Sequence, residues 1–139
     1  MRIQLSSIFV ADQATALRFY TEVLGFQKKA EIPMGEFSWL TVVSPEAPDG
    51  VELVLEPNSN PAALAFQAAL REQSIPMTAF LVDDVHAEHE RLQQQGVMFR
   101  TPPMAAGPVT IAIFDDTVGN LIQIYSMNAQ PDQDASATA

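Results

Sequence analysis

Two stretches, IQLSSIFVADQATALRFYTEVLG (residues 3–25) and MTAFLVDDVHAEHERLQQQG (residues 77–96), carry one pattern twice. In the first, apolar and β-branched residues run up to Val10 as a strand, and Asp12 stands where a side-chain oxygen can take the orphan amides of a helix start. Ala16, Leu17, Tyr20, Val23 and Leu24 then recur at helical spacing, and Gly25 stands where a left-handed cap is wanted. In the second, Met77–Val82 is the strand, Asp84 the cap, Val85–Gln95 the helix and Gly96 the stop. Val82 follows Val10 by 72 residues and Asp84 follows Asp12 by the same 72, so strand end and helix cap repeat together.

Working outward, Phe26–Ile32, Phe37–Val43 and Val51–Glu56 read as three further strands of a first module spanning residues 3–57. Asn60-Pro61 opens a connecting helix over residues 60–74, with Ala63, Phe66, Ala69 and Leu70 as its apolar set; it has no counterpart in the other half. The second module, residues 76–127, adds strands at Val97–Phe99, Val109–Phe114 and Leu121–Ser126. Each half is β-α-β-β-β. The expected fold class is α+β, two such modules forming a cupped mixed sheet around a pocket with the helices outside, in a single domain over residues 1–127. Asn128–Ala139, small and acidic, is expected to be a flexible tail.

The 139 residues suffice for one domain, 47% of them are hydrophobic, and no apolar run reaches the ~20 residues of a membrane span. Seven Lys and Arg against 17 Asp and Glu give a net charge of −10, which repels nucleic acid and anionic lipid and favours neutral or cationic small-molecule partners. The absence of cysteine excludes disulfides, thiolate nucleophiles and Cys-ligated zinc, and two histidines exclude a three-His site in one chain. The opening residues lack the apolar core of a signal peptide, so the expected location is cytoplasmic.

The ordered set Ile8-Phe9-Val10-Ala11-Asp12, Arg18-Phe19-Tyr20, Leu24-Gly25-Phe26, Val51-Glu52-Leu53, Leu81-Val82-Asp83-Asp84, Phe114-Asp115-Asp116 and Gly119-Asn120-Leu121-Ile122 resembles the vicinal oxygen chelate superfamily. That superfamily holds glyoxalase I, extradiol dioxygenases and bleomycin-resistance proteins, and the likeness covers roughly Ile3–Ser126. The resemblance implies a cupped sheet around a pocket and a homodimer. Its metalloenzymes hold a divalent ion with two side chains from each module. Carried over one position at a time, the resemblance puts Leu5, Glu52, Met77 and Gln123 in those places. Leu5 has no lone pair, Met77 is a soft thioether and Gln123 a weak neutral donor, so no metal and no other cofactor is expected.

Strand alternation puts Glu52, Val54 and Glu56 on one face, with Leu53 and Leu55 turned toward the helices, so Glu52 should point into the cup. Leu5, Ser7 and Phe9 share a face of the first strand; Phe37, Trp39 and Thr41 offer an aromatic face on the third; Tyr125 sides with Gln123. These residues, with Val54 and Met77, form the expected ligand-binding set, and Glu52 is the candidate general base or cation anchor. His89 is expected to be a packing residue and His86 a solvent one. Met34, Met77, Met98 and Met104 are expected mostly to fill gaps, and Asp83-Asp84 and Asp115-Asp116 to serve as a cap and a turn.

The function this points to is a small-molecule binder without the usual metal site, of the resistance or sequestration kind, taking a neutral or cationic hydrophobic ligand. The alternative is a glyoxalase- or dioxygenase-type enzyme, running lyase, isomerase or ring-cleavage chemistry, with Glu52 as base or residual metal ligand. That chemistry needs an electrophile for the developing oxyanion, and only neutral donors such as Gln123 and Tyr125 are in view. A structural role would follow if the cup were filled by its own side chains.

Overall fold

A computed structural model describes residues 1–129. Its elements are β1 (Leu5–Val10), α1 (Gln13–Arg18), β2 (Gln27–Met34), β3 (Phe37–Val43), β4 (Glu52–Pro57), α2 (Pro61–Glu72), β5 (Thr78–Leu81), α3 (Val85–Gln94), β6 (Phe99–Ala106), β7 (Val109–Asp115) and β8 (Leu121–Met127). They build two four-stranded mixed sheets, ordered β1-β4-β3-β2 and β5-β8-β7-β6. In each, the first and last strands of a module pair in parallel and the others antiparallel, so the β-α-β-β-β unit occurs twice.

The caps form where the sequence places them. Asp12 accepts from Thr15 N, Asp84 from His86 N and Ala87 N, and Asn60 from Ala62 N, each satisfying donors that a helix start leaves open. After Arg18 the first helix widens into a π-helical turn over Phe19–Val23, where Leu24 N–H bonds to Phe19 O, and both Phe19 and Tyr20 are buried. β6 begins only where the expected strand Val97–Phe99 ends and runs on to Ala106, leaving Val97 and Met98 outside it. Pro102 and Pro103 interrupt the strand signal, but β6 is an edge strand bonded only to β7, and an edge tolerates residues that cannot donate outward.

One core serves both modules. Ile8, Val10, Leu40, Val42 and Leu55 from the first sheet meet Ala112, Phe114, Ile122 and Ile124 from the second, with Val85 and Leu92 of α3 among them. Phe19 packs on Phe114 with ring centroids 6.2 Å apart, and Tyr20 meets Phe80 edge-on at 6.5 Å. The opposite faces of the sheets stay uncovered by the chain's own core. Leu5, Ile32, Met34 and Phe37 are exposed on the first sheet, Leu81, Met104 and Met127 on the second. The gap-filling expectation therefore fails for Met34 and Met104, which face outward on the edge strands β2 and β6, and for Met98, exposed in the connection just before β6.

The joint between the modules is polar at its centre. Asp116 is fully buried and accepts from Tyr20 OH at 2.7 Å, Asn120 Nδ2 at 2.7 Å, Asn120 N at 2.9 Å and Val118 N at 3.0 Å. The turn reading of Asp115-Asp116 thus holds for both, Asp115 accepting from Thr117 N and Asp116 from Val118 N, but Asp116 does more: its buried side chain also ties the β7–β8 loop to Tyr20. Asn128, expected in the tail, is tied down as well, bonding to Pro108, Gly107 and Thr110; the rest of the expected tail, from residue 130 on, lies outside the described residues. No helix among the described residues is long and apolar enough to cross a membrane.

Burial pushes the Asp116 carboxyl up, and its four hydrogen bonds work against that rise. Burial, reinforced by the neighbouring Asp116 charge, holds the Tyr20 phenol well above its ordinary 10.0. The unfolded chain ionises this phenol near pH 10 while the folded chain keeps it neutral. Its contribution to stability is therefore complete below that pH and is lost as pH rises through the folded value, by about 1.4 kcal/mol per pH unit. Denaturant unfolding measured from pH 8 to 12 should show this alkaline decline flattened in Tyr20→Phe. At neutral pH the same variant should lose about 1–3 kcal/mol, because Asp116 is left buried with one donor fewer.

Candidate functional site

The first sheet aligns the expected residues on one face. Strand register pairs Leu5 with Glu52, Ser7 with Val54 and Phe9 with Glu56 between β1 and β4, and Thr41 with Val54 between β3 and β4. Between β2 and β3, Ile32 lies opposite Trp39 and Met34 opposite Phe37. Paired residues share a face, so these side chains form one surface opposite the core. On the second sheet, Gln123 pairs with Ala79 and Ile113, and Tyr125 with Leu81 and Ile111, on the corresponding open face. Met77 stands just before β5, its N–H bonded to Leu121 O. Within one chain the Glu52 group and the Gln123 group therefore lie on separate sheets.

At one end of the first sheet's open face lies a cavity of about 720 Å³. Phe9, Phe37, Trp39, Val54 and Met34 wall it from the strands, and Asn60, Ala62, Ala63 and Phe66 close it from α2. Glu56 is the one ionisable residue among its lining. Glu52 is not on this wall. It sits four positions earlier on β4, about 13 Å away by strand rise, and accepts from Thr41 Oγ1 at 2.8 Å. Leu5, Ser7, Thr41, Met77, Gln123 and Tyr125 likewise lie outside the cavity lining.

The sheet opens beside this cavity. β3 and β4 are paired at Thr41–Val54 and Val42–Leu53 and part beyond that point. Gln13, the first residue of α1, fills the gap: its Nε2 donates to Ser38 O and Leu55 O at 2.8 and 2.9 Å, and its Oε1 accepts from Ser38 N. One side-chain amide thus replaces the missing rungs and keeps the backbone groups satisfied.

The remaining wall, α2, is held by polar contacts, since Ala63 and Gln67 are its only buried residues. Gln67 Nε2 donates to Phe9 O, Asn120 Oδ1 and Val118 O at 3.0, 3.0 and 3.2 Å, and its Oε1 accepts from Asn58 Nδ2 at 2.8 Å. Gly119, at φ +109°, makes room: a Cβ there would stand 2.5 Å from Gln67 Nε2. Farther along α2, Arg71 pairs with Asp115; burial pushes that carboxyl up, but Arg71 and the Thr117 N–H outweigh it and hold it below the usual range. Sequence reasoning missed this helix as a site element. Phe66 read as part of the helix's apolar set and Gln67 was not singled out, and the one available signal was that the helix lacks a counterpart in the second module.

The histidines take their expected places. His89 packs edge-on against Phe99 at 4.4 Å, His86 is exposed, and neither lines the cavity. The four positions that correspond to a divalent-metal site do not fit one. Leu5 offers no donor, Glu52 is engaged with Thr41, and a thioether and a neutral amide complete the set from the other sheet. Among the described residues no group of three or more His, Asp or Glu converges on a common point.

Comparison with known proteins agrees with this architecture. The sequence profile of the Glyoxalase/Bleomycin resistance protein/Dioxygenase superfamily matches residues 2–124. The uncharacterized protein YurT of Bacillus subtilis (strain 168) is 55% identical over 124 residues, covering 89% of this chain and 98% of its own. Among solved structures, UcmS2 superposes with a TM-score of 0.77 at 33% identity, covering 90% of this chain and 97% of its own. TnmS3, described as an antibiotic binding protein from Streptomyces sp. CB03234, gives 0.71 at 29% identity, covering 92% and 97%.

If Gln67 pins the cavity wall, disturbing it should loosen α2 selectively. Gly119→Ala forces a Cβ against the Gln67 amide at a left-handed backbone position and should cost about 1–3 kcal/mol. Hydrogen exchange should then rise across Pro61–Glu72 in this variant and in Gln67→Ala, while β7 and β8 keep their protection.

Proposed function

Because this chain belongs to the glyoxalase/bleomycin resistance protein/dioxygenase superfamily, we propose that it is a small-molecule-binding member that works without the superfamily's divalent metal. It holds a neutral or cationic hydrophobic ligand on the open face of its first sheet, as a sequestering or resistance protein in the cytoplasm. The observation that carries this reading is a 720 Å³ cavity walled by aromatic side chains with a single carboxylate, within the size range of sites for drug-sized molecules. The similarity to a structure described as an antibiotic binding protein supports the same reading. Catalysis by Glu52 is less well supported, because proton abstraction beside a carbonyl needs a donor for the oxyanion and the hydroxyl nearest Glu52, that of Thr41, already donates to it.

The working form in this proposal is a homodimer. Leu5, Ile32, Met34 and Phe37 on one sheet and Leu81, Met104 and Met127 on the other would leave two apolar faces in water. A second copy that lays its second sheet over the first sheet covers both, and brings its Met77, Gln123 and Tyr125 to the side of the site where Leu5, Ser7, Thr41 and Glu52 lie. The ligand-binding set read from the sequence is then assembled across two chains.

Light scattering over a dilution series should report twice the 15.2 kDa chain mass down to micromolar concentration; a monomer would remove the second-sheet residues from the site. Elemental analysis after incubation with zinc, nickel, iron and manganese should find no stoichiometric ion. One ion per chain that is lost in Glu52→Ala would reverse the metal-free reading.

A further inference from the structure

We propose that Glu56, rather than Glu52, reads the charge of the ligand, and that the cavity beneath α2 takes a flat aromatic molecule bearing a protonated amine or amidinium. The inference rests on the small-molecule reading above and assigns it a residue and a ligand class. The apolar body would lie between Phe37 and Trp39 on the sheet and Phe66 on the helix, with the cationic group directed to Glu56.

Three observations carry this assignment. Glu56 is half-buried and free of any ion pair among the described residues; Lys28, Lys29, Arg71 and Arg91 are engaged elsewhere, and its one side-chain hydrogen bond among the described residues is from Ser7 Oγ at 3.5 Å, the outer limit for such a bond. A ligand that covered this carboxylate without a donor would strand a charge in an apolar wall, which is costly, whereas an ammonium restores the lost hydration. Glu52, by contrast, already accepts a good bond from the fully buried Thr41.

Second, the surroundings of Glu56 favour cations. Phe9 is its register partner on β1, and Trp39, Phe37 and Phe66 share the cavity, so a cation placed there has aromatic rings beside it as well as the carboxylate. Third, the cavity offers an anion little. No Lys or Arg lines it, and at the start of α2, which borders it, Pro61 has no N–H and the Ala62 N–H is taken by Asn60, which leaves the Ala63 N–H to set against the carboxylate of Glu56.

The test uses the full chain and three acridines of similar shape, titrated by fluorescence: 9-aminoacridine as the cation, acridone as the neutral form and acridine-9-carboxylate as the anion. The unmodified protein should bind the cation at least about tenfold more tightly than the anion, and Glu56→Gln should erase that preference. Glu56→Asp should retain it, and Glu90→Gln, an equal charge change on the exposed face of α3, should leave it intact. Circular dichroism of each variant reports whether it has folded; if Glu56→Gln has not, loss of the preference in Glu56→Ala decides. Binding whose selectivity survives the loss of the Glu56 carboxylate, or falls in Glu52→Gln instead, overturns the assignment alone. Failure of all three probes to bind overturns both the assignment and the small-molecule reading beneath it.

Discussion

A buried carboxylate organises this molecule. Asp116 has no access to water, yet every hydrogen bond it accepts comes from a group that must be placed for the site to exist: Tyr20 at the end of the first helix, and the backbone and side chain of the β7–β8 loop. Through Asn120 the network reaches Phe9 O and Gln67, so the module joint, the end of β1 and the cavity wall share one set of bonds. Such a cluster in a low-dielectric interior is stabilising only when complete, and no buried side-chain nitrogen or oxygen among the described residues lacks a partner. Apolar packing supplies most of the driving force for folding, but it is not directional. The polar centre fixes where α2 lies over the sheet.

The consequence is a division of labour between the faces of the first sheet. Ile8, Val10, Leu40, Val42 and Leu55 are committed to the core, and their alternates form the open surface. Where β3 and β4 part, Gln13 keeps the backbone bonded and α2 closes the space from one side. The cavity is therefore displaced along β4 from Glu52, the residue that the resemblance alone puts in a metal-ligand position. The open face thus carries its cavity at the end nearer the connecting helix.

Much of this was legible before any coordinates. Period-two alternation correctly put Leu5, Ser7, Phe9, Phe37, Trp39, Thr41, Glu52 and Val54 on one face, and the Asp12, Asn60 and Asp84 caps lie where local chemistry demands. What stayed hidden depends on long-range contacts. Alternation says which way Glu52 and Glu56 point, but only the position of α2 decides which of them a cavity includes. Gln67 and Asp116 look like ordinary helix and turn residues until residues 51 and 96 positions away are brought against them. Pro102 and Pro103 concealed β6 beyond Phe99 because tolerance of proline depends on a strand's place in the sheet, which local sequence does not encode.

The most direct measurement is a crystal structure of the full chain with bound 9-aminoacridine. The account predicts the ring system between Trp39 and Phe66, with its amine within hydrogen-bond distance of the Glu56 carboxylate and no metal beside Glu52. Density for the acridine beside Glu52, or in the separate cavity of about 700 Å³ lined by Phe26, Phe80 and Glu88, would contradict it.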